Sequence, residues 1–168
     1  DILTLYGLTI KENLVLDQSC SQVNVQQQMG PFRMAVPMDY PFLPIIKNFD
    51  QTDVSVSGLE SMSLIFPSEI KSDSVYSDNL VEFIPIIKTS NHSATMTSFY
   101  NLNPDPKNNP IFTQLTEEAK VVGARAIVSD KSSGNYSNIT LISDSKFFAD
   151  QGGGSSQANL IYIMNTID

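Results

Sequence analysis

The sequence predicts an α/β domain with a mixed, β-rich sheet, and three observations carry that prediction. Apolar runs of strand length recur between residues 13 and 143, helix-like segments stand before the first run and after the last, and glycine, proline and polar clusters separate the runs. With 168 residues the chain is long enough for one domain with a sizeable core, so residues 1–168 are assigned to a single domain.

The elements follow in order. "DILTLYG" reads as the last turns of a helix ended by Gly7. It carries no initiator methionine, basic n-region or signal-peptide core, which is the expectation for an excised or processed piece of a longer protein. "NLVLDQ" follows as a short buried strand. Val23 and Val25 alternate before Gly30-Pro31, and Phe32, Met34 and Val36 alternate after it, which predicts a hairpin turning at that dipeptide.

Prolines at 37, 41 and 44 then argue for a semi-rigid loop over "PMDYPFLPII", anchored by Tyr40 and Phe42. "DVSVSG", "SMSLIFPS" and "LVEFIPIIKTS" read as strands, being rich in β-branched and aromatic residues. "NLNPDPKNN" is a polar loop, and Asn109 as N-cap with Pro110 at the first helical position predicts a short helix after it. "AKVVGARAIVSD" and "NITLISD", joined by "KSSGNY", predict an antiparallel hairpin. "SQANLIYIMNTID" spaces Leu160, Ile161, Met164 and Ile167 for a helix packed on the sheet.

Composition narrows the function classes. Eighteen acidic residues against 10 basic ones give a net charge of −8, which argues against nucleic acid or an anionic membrane surface as partner. One cysteine, Cys20, and one histidine, His92, exclude an internal disulfide and a Cys/His zinc site. No apolar run approaches the ~18–20 residues that cross a bilayer.

Several stretches read two ways. Asp144 follows "ITLI" where α/β sheets place functional groups, at the carboxyl end of a strand, and Asp150 lies six residues on. Two carboxylates are too few for a divalent metal, and the alternative is that Asp144 and Ser145 cap the next turn through their short polar side chains. The glycines at 152, 153 and 154 suggest a phosphate cradle or a surface loop, and they lack both GxGxxG and P-loop spacing. Cys20 has no base placed beside it by spacing, so it reads as a half-buried apolar residue and His92 as a loop residue. Tyr40 and Phe42 either form an exposed binding surface in a rigid frame or fold back over the sheet.

Taken in succession, "LYGLTIKENLVLDQ", "AVPMDYPFLPII", "VSVSGLESMSLIFPSEI", "VEFIPIIKTS", "ARAIVSDKSSGNYSNITLISDSKFFADQ" and "NLIYIMNTID" resemble the auxiliary extracytoplasmic components of gliding-motility-associated ABC transporters, an ABC-type uncharacterized transport system family related to the GIFT domain of intraflagellar transport. The chain departs from the family pattern at Ser143, where a glycine usually precedes the aspartate, and in a final helix without tryptophan. The resemblance implies a flavodoxin-like, class I glutamine-amidotransferase-like fold that lacks its first strand. It implies a parent protein anchored in the inner membrane with this domain on the periplasmic face, and partner contacts with the transporter's membrane and ATPase subunits. It does not imply catalysis, since the amidotransferase cysteine and histidine have no counterparts here, and the residues themselves call for no cofactor or metal.

The functional expectation is a non-enzymatic binding or assembly domain that holds a protein or glycan ligand, with Asp144, Ser145, Asp150, Tyr40 and Phe42 at its rim. Two alternatives stand beside it. One is a hydrolase or transferase using Asp17, Asp144 and Asp150, which requires two of these carboxylates to meet at one reacting group. The other is a purely structural module.

Overall fold

A computed structural model describes residues 2–73, 80–129, 133–149 and 156–167. Helix α1 (Ile2–Leu5) is one turn, closed by bonds from Tyr6 N to Leu3 O and from Gly7 N to Thr4 O. Gly7 takes φ +61°, and a Cβ there would approach both the Asp73 carbonyl oxygen and Val81 Cγ1 to 3.2 Å. Glycine is therefore favoured by conformation and by space.

Strand β1 (Leu8–Ile10) pairs with β7 (Ile70–Ser72), and β2 (Leu14–Asp17) pairs with β9 (Ser93–Met96). A long hairpin, β3 (Cys20–Met29) and β4 (Phe32–Ile46), is joined at its base by β6 (Met62–Ser63). The largest sheet runs β11 (Tyr136–Ile142), β10 (Val121–Ser129), β8 (Leu80–Lys88), β5 (Asn48–Phe49). Helix α2 (Gln157–Ile167) closes the chain. No helix among the described residues is long and apolar enough to cross a membrane.

The structure is thus α/β and strand-rich, but the expected mixed sheet is corrected: every pairing among the described residues is antiparallel. Parallel neighbours need a crossover of a dozen residues or more, usually a helix, and the described α-helices lie only at the two ends. A flavodoxin-like sheet would be parallel.

Local corrections have identifiable causes. The segment expected to be a proline loop, residues 37–46, continues β4, because no strand pairs with its outer edge at Pro37 and because Pro44, without an N–H, still accepts there: Pro44 O takes Leu64 N at 3.0 Å beside Phe42 O, which takes Phe66 N at 3.0 Å. "DVSVSG" is a 3₁₀ turn, Val54–Val56, because the Asp53 carboxylate accepts from Ser55 N at 2.9 Å and Ser55 Oγ at 2.6 Å and caps it. The helix expected after Asn109 is a 3₁₀ turn, Pro110–Thr113. Asn109 does not cap it, donating instead to the carbonyls of Asn101 and Asn103.

Three apolar clusters form the interior. The largest places Ile86, Ile87 and Val122 of the main sheet against Phe147 and Tyr162. A second gathers Leu16, Tyr40, Phe42, Ala94 and Met96, and a third packs Leu3 and Tyr6 against Leu8, Ile70, Ala124 and Ala126. Helix α2 sits on the first cluster with only part of the expected stripe: Ile161 packs inward, whereas the other three positions face out. Leu160, Met164 and Ile167 are 46%, 65% and 79% exposed. The buried face is fixed by Tyr162, edge-on to Phe147 at 5.9 Å, and by Asn159, whose amide donates to Ser63 O. Asn165 adds bonds to the carbonyls of Ser55 and Ser57.

Candidate functional site

Three aspartate side chains are buried, and each joins segments far apart in sequence. Asp17, at the end of β2, accepts from Ser19 N at 2.7 Å, Ser90 N at 2.5 Å and Ser90 Oγ at 3.0 Å. It ties β2 to the turn between β8 and β9. Asp144 accepts from Ile65 N at 2.9 Å and Lys146 N at 2.7 Å, which fastens the turn after β11 to the chain after β6. Both carboxylates hold main-chain donors in place. They share no bonding partner.

Ser145 is exposed beside Asp144, whereas Asp150 and the glycines at 152–154 lie outside the described residues. Tyr40 and Phe42 are not on a surface: they are 8% and 0% exposed and pack edge to face at 5.3 Å. The Tyr40 hydroxyl donates to Leu102 O. Their places in β4 turn them into the second core cluster, which is the reading in which they fold back.

Burial, above all, pushes the Asp144 carboxyl above its ordinary value of 3.8, against the lowering effect of the Ile65 and Lys146 N–H groups. The folded protein therefore holds this proton to higher pH than the unfolded chain does. Its contribution to stability is present below pH 3.8 and is lost as pH rises through the raised value. Urea midpoints of wild type and Asp144→Asn, measured between about pH 4 and about pH 6, are expected to diverge, with wild type losing ground as pH rises. Parallel curves would contradict this burial effect.

The sequence reading missed the third carboxylate. Asp53, its side chain 5% exposed, pairs with Arg125 at 2.9 Å (Nη1–Oδ2) and accepts a second bond from Nη2 at 3.2 Å. Arg125 Nε also donates to Thr140 Oγ1. The only trace in sequence is an arginine within an otherwise apolar strand, one of two in the chain. Beside the pair, burial above all raises the Tyr162 phenol, whose hydroxyl is unpartnered among the described residues, as is Asn159 Oδ1.

Cys20 lines a groove of about 380 Å³ at the base of the long hairpin, with Gln18, Asp39 and Phe112. Burial and then the neighbouring Asp39 raise its thiol, so it is a poor nucleophile at neutral pH. His92 is exposed. Among the described residues no three His, Cys, Asp or Glu side chains group to hold a metal.

The apolar surface lies elsewhere. A second groove, about 370 Å³, runs between β11 and α2 and is floored by Leu141, Ile142, Tyr162 and Ile163. Phe148, 68% exposed, stands at its edge, and the outward stripe Leu160, Met164, Ile167 continues along α2. This face combines i, i+4, i+7 apolar spacing with open exposure.

The family model described as "ABC-type uncharacterized transport system" matches residues 1–166. No curated protein matches the chain, and no solved structure does.

Proposed function

Because the chain belongs to the ABC-type uncharacterized transport system family, we propose that it is a non-enzymatic binding or assembly domain of such a system. Its docking face is the outward stripe of α2 together with the β11–α2 groove. The extracytoplasmic position and the link to gliding motility, both implied by the resemblance, belong to the same reading, as do the transporter's membrane and ATPase subunits as partners.

The observation that carries the proposal is the exposed stripe Leu160, Met164 and Ile167 beside Phe148 and the apolar groove. Such a face suits an apolar protein surface better than a glycan, which would call for a denser set of hydrogen-bonding groups. Ser145, exposed on the turn that carries Phe148, supplies polar rim. The hydrolase or transferase alternative is disfavoured by the use of Asp17 and Asp144, whose oxygens are taken up by separate sets of main-chain donors.

The test is Met164→Asp combined with Ile167→Asp. Both positions are exposed, so melting temperature is expected to stay close to wild type, while binding to the copurified membrane and ATPase subunits falls by about 30-fold, the scale of a hot-spot loss. Unchanged binding by the folded double variant would overturn the proposal.

A further inference from the structure

The β3–β4 hairpin carries an open edge of unusual composition. Its two-residue loop sets Gly30 at φ +63° with Pro31 after it, a geometry that keeps the flanking pair, Met29 and Phe32, hydrogen-bonded across the ladder. Counting back in twos, Val25–Val36 and Val23–Met38 are hydrogen-bonded pairs, and Asn24–Pro37 falls between them. Pro37 has no N–H to give, in agreement with that register. The main-chain N–H and C=O groups of Gln22, Asn24, Gln26 and Gln28 therefore face away from β4, and no strand pairs with them among the described residues.

The two edges of the hairpin are treated differently by the sequence. The outer edge of β4 is blunted by Pro37, Arg33 and Asp39, the devices that usually keep an edge from pairing. The strand β3 contains no charged residue and no proline. Beyond its base, where β6 pairs with Ile45 and Ile46, the hairpin is a two-stranded ribbon, a form that is marginal in water by itself, and only one of its edges is left able to accept another strand.

We propose that this edge pairs with the same edge of a second copy of the chain, antiparallel about a two-fold axis at Asn24. The sequence "CSQVNVQQQM" is self-complementary in that register. Asn24 meets Asn24 of the second copy, Gln22 meets Gln26, and Val23 meets Val25, so amides face amides and valine faces valine on the proper sides of the sheet. Each chain carries a net charge of −8, and β3 is a stretch where two copies meet without opposing like charges. Three reciprocal pairs would supply about six new main-chain hydrogen bonds and convert two marginal ribbons into one four-stranded sheet. The inference does not depend on the α2 docking face.

Sedimentation velocity across micromolar concentrations tests it. Wild type is expected to show a concentration-dependent monomer–dimer equilibrium. Asn24→Lys, which sets two cations opposite each other, is expected to weaken the dimer by about 10-fold or more. Gln22→Lys with Gln26→Lys is expected to do the same, whereas Gln22→Lys with Gln26→Glu places opposite charges across the axis twice and retains the dimer. In a Cys20→Ser background, Asn24→Cys is expected to form a disulfide-linked dimer on mild oxidation, since paired Cα atoms at a hydrogen-bonded site lie about 5.5 Å apart. Gln28→Cys is not. A wild type that stays monomeric, or charge variants that all dimerise alike, would overturn the proposal.

Discussion

Replacing Arg125 with methionine is expected to destabilise the protein by about 3 kcal/mol, because it leaves the Asp53 carboxylate buried without its counter-ion. Asp53 is the reason the effect is large: its side chain is 5% exposed, and the pair is two-pronged, at 2.9 and 3.2 Å. The value sits at the low end for a broken buried pair, since the Arg125 side chain is 23% exposed and the Ser55 N–H and hydroxyl still bind the carboxylate. For a domain of this size, the melting temperature should fall by about 6–12 °C. Asp53→Asn combined with Arg125→Met is expected to recover much of the loss, because the uncompensated charge is then gone. If Arg125→Met alone shifts stability by no more than an exposed substitution does, the pair does not hold the 53–57 turn against β10.

Phe42→Ala is expected to lower stability by about 3–5 kcal/mol through lost transfer energy and the cavity left behind. Phe42 is fully buried, with ring centroids 5.3, 5.7 and 5.9 Å from Tyr40, Phe112 and Phe66. Those rings come from β4, from the Pro110–Thr113 turn and from the segment after β6, so no single neighbour can move to refill the space. Urea unfolding monitored by tyrosine fluorescence gives the number. A loss below about 1 kcal/mol would mean that the cluster collapses around the gap and that Phe42 is no anchor.

How much of this was legible in the sequence depends on how local the causes are. The long hairpin announces itself because Gly30-Pro31 and the alternation on both sides act within a few residues. So does the β10–β11 hairpin. The continuation of β4 through Pro37, Pro41 and Pro44 does not, because tolerance for proline depends on whether a neighbouring strand is present, and that is decided by residues far away. The alternation of Val54 and Val56 resembles a strand, yet two hydrogen bonds from Ser55 to Asp53 favour a turn over it.

The same reasoning explains the candidate site. Asp144 is visible as a turn residue at a strand end, and its local bond from Lys146 N is one of the readings the sequence allows, whereas its clasp on a distant segment is not. Its partner, Ile65 N, lies 79 positions away. Asp53 and Arg125 are 72 positions apart, and nothing near either residue points to the other. Apolar spacing alone favours Leu160, Ile161, Met164 and Ile167 as the inner stripe of α2, and of these only Ile161 packs inward, because Asn159 and Tyr162 find Ser63 O and the Phe147 ring. That facing leaves an apolar stripe outside, which is why a partner is invoked for it.

The most direct test of the central claim is hydrogen-exchange footprinting of the chain, alone and mixed with the membrane and ATPase subunits proposed as its partners. Protection confined to α2, β11 and the turn bearing Ser145 and Phe148 is the expected result. Protection that leaves these segments unchanged and falls on another face would contradict the account.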